Sequence, residues 1–338
     1  NMNKEPFNLE KRRLKREIEK HNAKRVLLQL PEGLKPYATE LANIIQEAGA
    51  LPIILGDPCY GACDLALEEA QSLNADLIVH YGHSPWFKST RIPTVYFAAH
   101  SKKSVKKAVM KALTFLEEYS HIGLVTTLQH VNKLEEAREL LLKNGKIVII
   151  GDTGVQPHRG QVIGCEYSNA RSIADHVEAF LILSGGKFHA IGVAIATGKP
   201  VIVADPYTKN AFSVENEVKR VLKQRWACIH EAKKAKRFGV IVGLKIGQKK
   251  IEKAQKIVEE LQNAGKEAYL LALREIVPER LMQFPDVEAF VNTACPRVSL
   301  DASSKFNKPV LIPRELEVML EKTSWEKLCK SGWFENDA

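Results

Sequence analysis

Three cysteines in similar local surroundings are the residues of this sequence best suited to metal chemistry. They are Cys63 in the segment YGACD, Cys165 in GCE and Cys295 in ACPR. Each follows an apolar run that predicts a buried strand, and each lies in a different third of the chain. Three thiolates can hold a 4Fe–4S cluster and leave one iron open to a substrate. The pattern therefore predicts that three similar domains each supply one thiolate to a shared metal centre.

Spacing alone leaves other interpretations open. Free cysteine is among the most buried residue types, so three unrelated core residues would give the same pattern. Cys59 and Cys63 could also form a local redox or zinc pair, although neither a second cysteine pair nor a nearby histidine pair completes a zinc site in the sequence. Cys228 and Cys329 are most simply packing residues.

Polar groups follow several of the predicted strands. They lie in the segments QLPEG (29–33), HYGHS (80–84), TTLQH (126–130), Gly160-Gln161 and Gly247-Gln248. Ligands of open α/β sheets bind beyond the carboxyl ends of the strands, so these groups are expected on the same side as the thiols. Each segment alone is most simply a satisfied turn. Together they indicate a site for a polar ligand such as a nucleoside.

A pattern of strands and helices that occurs three times must position these residues. The predicted strands are 25–30, 51–55, 76–80 and 93–97, then 122–127, 146–150, 188–195 and 200–204, then 238–242, 268–272, 287–292 and 309–312. In each pass a helix ends at a glycine, the usual residue just after a helix end. Strands that alternate with helices predict α/β domains with parallel sheets. We expect three small flavodoxin-like or Rossmann-like domains around a pseudo-threefold central site.

The expected domain boundaries place one of the three cysteines in each domain. Domain 1 covers residues 1–100, domain 2 covers residues 101–207, and domain 3 covers residues 208–338. Three flanking helices are also predicted. A charged helix over 4–22 is expected to pack on domain 1, a long basic helix over 208–236 to link domains, and a tail helix after 315 to be fixed by Trp325, Trp333 and Phe334 to a core or a second subunit.

Composition indicates a globular protein of the cytoplasm. The chain has 338 residues, of which 45% are hydrophobic and 26% charged. No apolar run approaches the ~20 residues of a membrane-spanning helix, and we expect no secretory signal. The net charge of +9 favours a lysine-rich surface over a nucleic-acid site, because no basic run is interleaved with aromatic residues. Six dispersed cysteines do not form a disulfide scaffold.

In its motifs the chain resembles the archaeal radical enzymes of diphthamide biosynthesis, the 2-(3-amino-3-carboxypropyl)histidine synthase family. The resemblance covers residues from about 23 to 313. The matching segments are QLPEG (29–33), YGAC (60–63), HYGHS (80–84), GQVIGC (160–165), DPY (205–207) and TACPR (293–297). Their number and their order make the resemblance specific, whereas any one of them would be weak.

The resemblance implies a 4Fe–4S cluster with Cys63, Cys165 and Cys295 as its ligands and catalytic cysteines, and it leaves Cys59 as an extra thiol. It further implies that the reduced cluster cleaves S-adenosylmethionine to a 3-amino-3-carboxypropyl radical. This radical adds to one histidine of translation elongation factor 2, and methylthioadenosine is released. An external electron donor and a homodimer are also implied, and neither a membrane nor a nucleic acid is expected as a partner.

Within that family, several residues are candidates for binding the cofactor or the substrate. They are Gln29, Gly33, His83, Ser84, Gln129, Gln161, Gln248 and Arg297. Arg297 or Gln248 is the candidate for the substrate carboxylate, and Arg297 is favoured because its guanidinium can bind a carboxylate with two hydrogen bonds. Two other interpretations remain. One is a dehydratase or condensing enzyme similar to quinolinate synthase, with a three-cysteine cluster, and the other is a non-catalytic iron–sulfur subunit that delivers electrons.

Overall fold

The computed structural model of the chain describes residues 6–301, 305–331 and 333–334. These residues form two compact units. The first unit contains the chain up to Lys103 together with Leu128–Asn132 and Lys245–Gly247, and the second contains Ser104–Thr127, Lys133–Leu244 and the chain from Gln248 onward. The division into three domains stays a prediction.

The first unit is built on one parallel sheet. Its elements are β1 (Phe7–Asn8), α1 (Lys11–Lys20), β2 (Arg25–Gln29), α2 (Ala38–Glu47), β3 (Leu51–Ile54), α3 (Leu67–Ser72), β4 (Leu77–Tyr81), β5 (Thr94–Phe97) and β6 (His100–Ser101). The strand order is β3-β2-β4-β5, and all three pairings are parallel. The central strands β2 and β4 are apolar and buried, as expected for strands with both faces covered.

The N-terminal helix packs on the core of the first unit, as predicted. Leu9, Leu14 and Ile18 are buried with residues of β2 and β4. Helix α1 is shorter than the predicted range of 4–22, because the chain forms β1 first and pairs it with β6 in antiparallel register. Residues 4 and 5 of that prediction lie outside the described residues.

The second unit contains two sheets. Its elements are α4 (Lys106–Phe115), β7 (His121–Thr126), α5 (Leu134–Lys143), β8 (Ile147–Ile149), α6 (Ser168–Ile173), β9 (Ala179–Leu183), α7 (Phe188–Thr197), β10 (Val201–Asp205), β11 (Asn210–Ser213), α8 (Glu215–Lys234), β12 (Arg237–Gly243), α9 (Ile251–Asn263), β13 (Glu267–Leu273), α10 (Pro278–Leu281), β14 (Ala289–Asn292), α11 (Pro296–Asp301), β15 (Val310–Leu311), α12 (Pro313–Met319) and α13 (Trp325–Ser331). The strand orders are β8-β7-β9-β10-β11 and β13-β12-β14-β15.

The chain is therefore a mixed α/β protein with several parallel sheets. In each of the three larger sheets, the first four strands along the chain follow the same order: second, first, third, fourth. The one addition is β11, which pairs with β10 in antiparallel register. An arrangement of the three sheets around a common threefold axis stays a prediction.

One predicted strand was wrong. Residues 188–195 form most of helix α7, and the strand at this place in the order is β9. The segment 188–195 is rich in apolar residues, and its second half, from Gly192 to Ile195, is continuously buried. In so short a run the period of hydrophobic residues cannot separate helix from strand. The glycine at the helix end is the missed signal: Gly198 has a φ of 68°, the left-handed conformation that terminates helices.

The basic helix α8 and the C-terminal aromatic residues both pack in the core of the second unit. Helix α8 is shorter than its predicted range, because β11 precedes it. The buried Arg225 on this helix donates from Nε to Glu315 Oε1 at 2.6 Å and from Nη1 to the Ser299 carbonyl at 2.8 Å. Trp333 and Phe334 are buried in the same core, as one of the two predicted alternatives stated. Gly332 and residues 335–338 of the predicted tail lie outside the described residues.

Among the helices of the described residues, none combines the length and the apolar composition that crossing a membrane requires.

Candidate metal centre

Cys63 lies in a short turn after β3, within the first unit. A 3₁₀ turn over Ala62–Asp64 holds it, closed by a hydrogen bond from the Asp64 N–H to the Gly61 carbonyl at 3.0 Å. A Cβ on Gly61 would come within 3.3 Å of Cys63 Sγ, so the missing side chain leaves the thiol room. The side chain of Cys63 is partly exposed, and its sulfur can therefore reach a ligand.

Lys245 carries a positive charge to the turn that holds Cys63. This residue belongs to the first unit, although it follows β12 in the chain. Its Nζ lies 3.1 Å from Asp64 Oδ2 and 4.4 Å from the centroid of the Tyr60 ring. Only 6% of the Lys245 side chain is exposed, so this ion pair is screened little by solvent. Sequence reasoning missed Lys245, since nothing in its local sequence separates it from the many surface lysines.

Gly247 touches the backbone of Cys63 directly. A Cβ at Gly247 would lie 2.6 Å from Cys63 Cα, 2.7 Å from its Cβ and 2.8 Å from its carbonyl oxygen. No side chain fits at such distances, so the close approach of the two backbones requires glycine. The pair Gly247-Gln248 was predicted to lie near the site, and the glycine is the member that packs on a cysteine within this unit.

Gln29, in the sheet of the first unit, forms hydrogen bonds to the turn that holds Cys63. It ends β2 and is buried, with 1% exposed. Its Nε2 donates to the Asp64 carbonyl at 2.7 Å, while its Oε1 accepts from the Ala66 N–H at 3.2 Å and from His80 Nδ1 at 2.9 Å. Its amide therefore already has three internal partners. This geometry makes Gln29 a residue that positions the cysteine turn.

The segment 80–84 places two histidines in contact inside the first unit. His80 Nε2 and His83 Nδ1 are 2.9 Å apart. Burial lowers the pKa of His83 to about 4 and holds the pKa of His80 well below its usual range, so both rings are neutral near pH 7. Ser84, which follows them, is largely buried. The glycine between the histidines offers its carbonyl to Gln129 Nε2 at 2.8 Å.

Cys59 lies beside these two histidines, which corrects the statement that no histidine pair is near it. The ligand atoms of Cys59, His80 and His83 are all within 4.8 Å of one another. Sequence spacing did not reveal this because Cys59 follows β3 whereas the histidines end β4, and only the folded sheet brings the two strand ends together. Burial raises the pKa of the Cys59 thiol to about 12, and the charge of Asp64 adds to this rise.

Cys295 lies in the second unit, where Asn292 fixes the turn that leads to it. Asn292 ends β14; its Nδ2 donates to the Cys295 carbonyl at 2.8 Å, and its Oδ1 accepts from the Ala294 N–H at 2.9 Å. Burial raises the pKa of the Cys295 thiol, and the N–H groups of Arg297 and Val298 act in the opposite direction by favouring the thiolate. Sequence reasoning missed Asn292, although its place at a strand end next to a candidate cysteine was the available signal.

Cys165 lies in the same unit and shares a neighbour with Cys295. The buried Tyr167 donates its hydroxyl hydrogen to the Gly164 carbonyl at 2.9 Å. Burial is the main reason that the pKa of Tyr167 is raised, and negative charge on Cys165 or on Cys295 would raise it further. Both thiols are therefore within electrostatic range of one phenol.

The guanidinium of Arg297, two residues after Cys295, is stacked on the Phe188 ring and hydrogen-bonded to Asp301. Its Nε and Nη2 each donate to Asp301, at 2.9 and 2.8 Å, and Nη2 also donates to the Phe188 carbonyl at 2.8 Å. The Phe188 ring lies 3.9 Å from the guanidinium carbon. Arg297 is buried, and its Nη1 has no partner among the described residues. The edge formed by Nε and Nη2, which was expected to bind a substrate carboxylate, is therefore occupied by Asp301. Nη1 is the donor that remains.

The other residues predicted to bind the cofactor or the substrate differ in their exposure to solvent. Gly33 is exposed in the 3₁₀ turn Glu32–Tyr37, with nothing within 4 Å of the position of a Cβ. Gln161 is buried in the second unit, where its Nε2 donates to Gln156 Oε1 at 3.1 Å. Gln248 is half-buried at the end of the turn Ile246–Gln248. No contact assigns any of these residues to a ligand.

The donor set suits an iron–sulfur cluster. All six cysteines are among the described residues and are free thiols, and Cys63, Cys165 and Cys295 are each partly exposed. Glycines lie near two of these thiols: a Cβ on Gly61 would crowd the Cys63 sulfur, and a Cβ on Gly164, next to Cys165, would meet the Phe188 ring at 2.7 Å. Soft, accessible thiols are what cluster ligation requires.

Several known proteins are similar to this chain in sequence. The family model of diphthamide synthesis proteins matches residues 30–329. The 2-(3-amino-3-carboxypropyl)histidine synthase of Pyrococcus horikoshii is 39% identical over 308 residues, which cover 90% of this chain and 88% of that protein. Subunit 1 of the enzyme of the same name from Saccharomyces cerevisiae is 31% identical, over 90% of this chain and 73% of that protein.

Solved structures agree with the sequence relatives. The crystal structure of Dph2 from Pyrococcus horikoshii with a 4Fe-4S cluster has a TM-score of 0.86 to this chain at 38% sequence identity, and it covers 94% of this chain and 92% of that one. A second crystal structure of the same protein has a TM-score of 0.87 at 37% identity. The family model, the relatives and the structures agree: the chain belongs to the diphthamide synthesis protein family.

Proposed function

We propose that this chain is a 2-(3-amino-3-carboxypropyl)histidine synthase, a transferase that performs the first step of diphthamide biosynthesis. The observation that carries the proposal is the 39% identity over 90% of the chain to a relative with that name. The cysteines support it, since all three are free, partly exposed thiols in the segments that match the family's motifs. In the proposed reaction the 3-amino-3-carboxypropyl group of S-adenosylmethionine passes to a histidine of elongation factor 2, and methylthioadenosine is released.

Cys63, Cys165 and Cys295 would hold the 4Fe–4S cluster in this proposal. When bound, the cluster supplies one electron and an open iron site, which together break the bond from the sulfonium to the aminocarboxypropyl carbon. The chain's own residues set the turn geometry. Gln29 and Gly247 fix Cys63, and Asn292 fixes Cys295. These contacts keep the turns of Cys63 and Cys295 in place before the cluster binds.

Two cationic groups of the chain could meet the charges of the substrate. Lys245 is paired with Asp64, so this pair adds little net charge to the Cys63 turn. Arg297 keeps one donor, Nη1, without a partner among the described residues, and Asp301 fixes the plane of its guanidinium. A substrate carboxylate would therefore accept a hydrogen bond from Nη1 rather than from the edge that Asp301 occupies. Gln248 is the second candidate for this carboxylate.

The partners follow from the same proposal. The protein substrate is elongation factor 2, the electron comes from an external donor in the cytoplasm, and the chain acts as a homodimer. The net charge of +9 would favour docking of an acidic surface through long-range attraction, which raises association rates more than affinity.

The test is an anaerobic turnover assay with the reconstituted full-length chain. S-adenosylmethionine labelled in the aminocarboxypropyl group is incubated with dithionite and archaeal elongation factor 2. The proposal predicts methylthioadenosine release and one labelled group per elongation factor. Substitution of the target histidine should abolish the labelling.

Two results would separate this proposal from the rival functions. An intact cluster without methylthioadenosine release would favour a dehydratase or condensing enzyme similar to quinolinate synthase, or a subunit that only delivers electrons. Addition of a second, catalytic chain that restores activity would identify the electron-delivery role. The matched controls are Cys63→Ala and Cys228→Ala: the first should lose iron, and the second should keep it, because Cys228 lies on α8 and is not a predicted ligand.

A further inference from the structure

A second group of metal-binding side chains lies inside the first unit. Cys59, His80 and His83 bring one sulfur and two ring nitrogens within 4.8 Å of one another. Cys59 is 3% exposed and His80 is fully buried, whereas His83 is partly exposed. None of the three is among the cysteines predicted to hold the iron–sulfur cluster. The group therefore consists of other residues than the predicted cluster ligands, and His83 is its partly exposed member.

Hydrogen bonds from the backbone determine the protonation of His80. The Ala66 N–H donates to Gln29 Oε1, and Gln29 Nε2 donates to the Asp64 carbonyl, so the orientation of the Gln29 amide is fixed. His80 Nδ1 lies 2.9 Å from Oε1, which can only accept, and Nδ1 must therefore carry the hydrogen. The lone pair of His80 is then on Nε2. An imidazole whose other nitrogen donates to an amide or carboxylate oxygen is the usual form of a metal-ligating histidine.

We propose that Cys59, His80 and His83 form a binding site for one divalent transition-metal ion of the Zn²⁺ class. The ligands would be Cys59 Sγ, His80 Nε2 and His83 Nδ1, with a water molecule in the fourth position. One thiolate and two imidazoles are a donor set that Zn²⁺ takes in tetrahedral geometry, whereas Mg²⁺ and Ca²⁺ require oxygen ligands.

The distances require only small movements. His80 Nε2 and His83 Nδ1 are 2.9 Å apart, and two nitrogens on one tetrahedral zinc ion are about 3.3 Å apart when each bond is about 2.0 Å. Binding would replace the hydrogen bond between the two rings, and His83 would carry its hydrogen on the other nitrogen. Both rings are neutral near pH 7, because burial lowers their pKa values, so neither needs to lose a proton from a charged form. Cys59 loses one proton to the solvent when the metal binds.

The test measures metal binding in the full-length chain and does not depend on activity. To remove competing thiols, Cys63, Cys165 and Cys295 are all changed to alanine, and Co²⁺ is then titrated without oxygen. One Co²⁺ per chain is expected, with the intense visible bands of tetrahedral cobalt and a near-ultraviolet sulfur-to-cobalt charge-transfer band. Competition with Zn²⁺ gives the affinity of the native ion. The same competition in the chain with its native cysteines provides a second measurement if the triple variant does not fold.

Ligand variants and a matched control decide the assignment. Cys59→Ser should abolish the charge-transfer band, and His83→Gln should weaken binding by more than 100-fold. Gln29→Ala removes the partner of His80, together with the hydrogen bonds of Gln29 to Asp64 and Ala66, and should weaken binding by about 10–100-fold. Cys228→Ser is the control: it removes a partly buried thiol outside the proposed site and should leave the spectrum unchanged.

Several outcomes would overturn the proposal. One is a parent protein that binds no Co²⁺, or binds it only as a non-stoichiometric, adventitious ion. Another is a spectrum that survives Cys59→Ser. A third is equal affinity in the His83→Gln and parent proteins, provided that circular dichroism shows both to be folded.

Discussion

Replacing Gly247 with alanine is expected to displace Cys63 and to remove most of the cluster and the activity. The three atoms nearest to the new Cβ would be Cys63 Cα, Cβ and carbonyl oxygen, at 2.6, 2.7 and 2.8 Å. None of these atoms can move by rotation of a side chain. The clash must therefore be relieved by movement of the backbone, either in the turn that holds Cys63 or in the segment Lys245–Gly247.

The size of the effect follows from these distances. Carbon atoms in contact are ordinarily about 3.5–4.0 Å apart, so the two backbones must separate by roughly 1 Å. Overpacking of this kind costs about 1–3 kcal/mol of unfolding free energy. A displacement of about 1 Å in a group that positions the reacting atoms costs on the order of 100-fold in rate. The expected loss of activity is thus larger than the loss of stability would produce.

Gly56→Ala is the matched control. Gly56 is exposed in the same unit, and no atom lies within 4 Å of the position of its Cβ. Urea unfolding gives the stability of both variants, iron content after anaerobic reconstitution gives the occupancy of the cluster, and methylthioadenosine release gives the rate. Gly247→Ala should lose iron and rate while it remains folded, and Gly56→Ala should match the parent protein in all three measurements.

The reasoning would be refuted by a folded Gly247→Ala protein with the iron content and rate of the parent. Such a result would mean that the segment Lys245–Gly247 does not need to pack on Cys63. A loss of iron that is equal in Gly56→Ala would refute it as well, because that substitution meets no atoms.

Three further outcomes are expected. Gly33→Ala should leave stability unchanged, and a rise in the KM for S-adenosylmethionine would show that a ligand approaches this backbone, whereas an unchanged KM would remove Gly33 from the site. Asp301→Asn should lower kcat/KM by about 10-fold without loss of iron. The substitution weakens the charge-assisted hydrogen bonds that hold the Arg297 guanidinium, each of which is worth about 1.5–3 kcal/mol. An unchanged kcat/KM would refute this role of Asp301. For the metal-free protein, the pKa of His83 is about 4 in the folded state, against a usual value of about 6.5. The contribution of neutral His83 to the free energy of unfolding is therefore complete above pH 6.5, and up to about 3 kcal/mol of it is lost as the pH falls toward 4. Urea titrations should show a flatter pH dependence in His83→Gln.

The positions of most strands could be predicted from the sequence because each is a short apolar run that ends at a turn signal. Strands β2, β4, β7 and β12 lie within a few residues of their predicted bounds. Because these strands are buried, each has a run of apolar residues that could be recognised in the sequence. Helix α7 was the exception, because its buried residues run consecutively from Gly192 to Ala196 and so obscure the amphipathic period on which such predictions depend.

The candidate site was only partly predictable, for a different physical reason. A cysteine on a turn after a strand is a local signal, and so Cys63 and Cys295 could be identified from the sequence. Lys245 and Gly247 act on Cys63 from more than 180 positions further along the chain, and only the folded chain shows that they touch it. Arg297 was selected for its chemistry, but the sequence could not show that the nearby Asp301 already occupies its two-pronged edge.

The two cysteines of the segment 59–63 face different surroundings, and Gln29 is the residue that connects them. Cys59 is sealed beside His80, whereas Cys63 is partly exposed. The Gln29 amide donates to the Asp64 carbonyl next to Cys63 and accepts from His80 next to Cys59. Gln29→Ala should therefore lower both Co²⁺ affinity and iron content, while Cys59→Ser should lower only the first. If Gln29→Ala lost neither, the amide would not position either thiol, and if Cys59→Ser also lost iron, the two sites would not be independent.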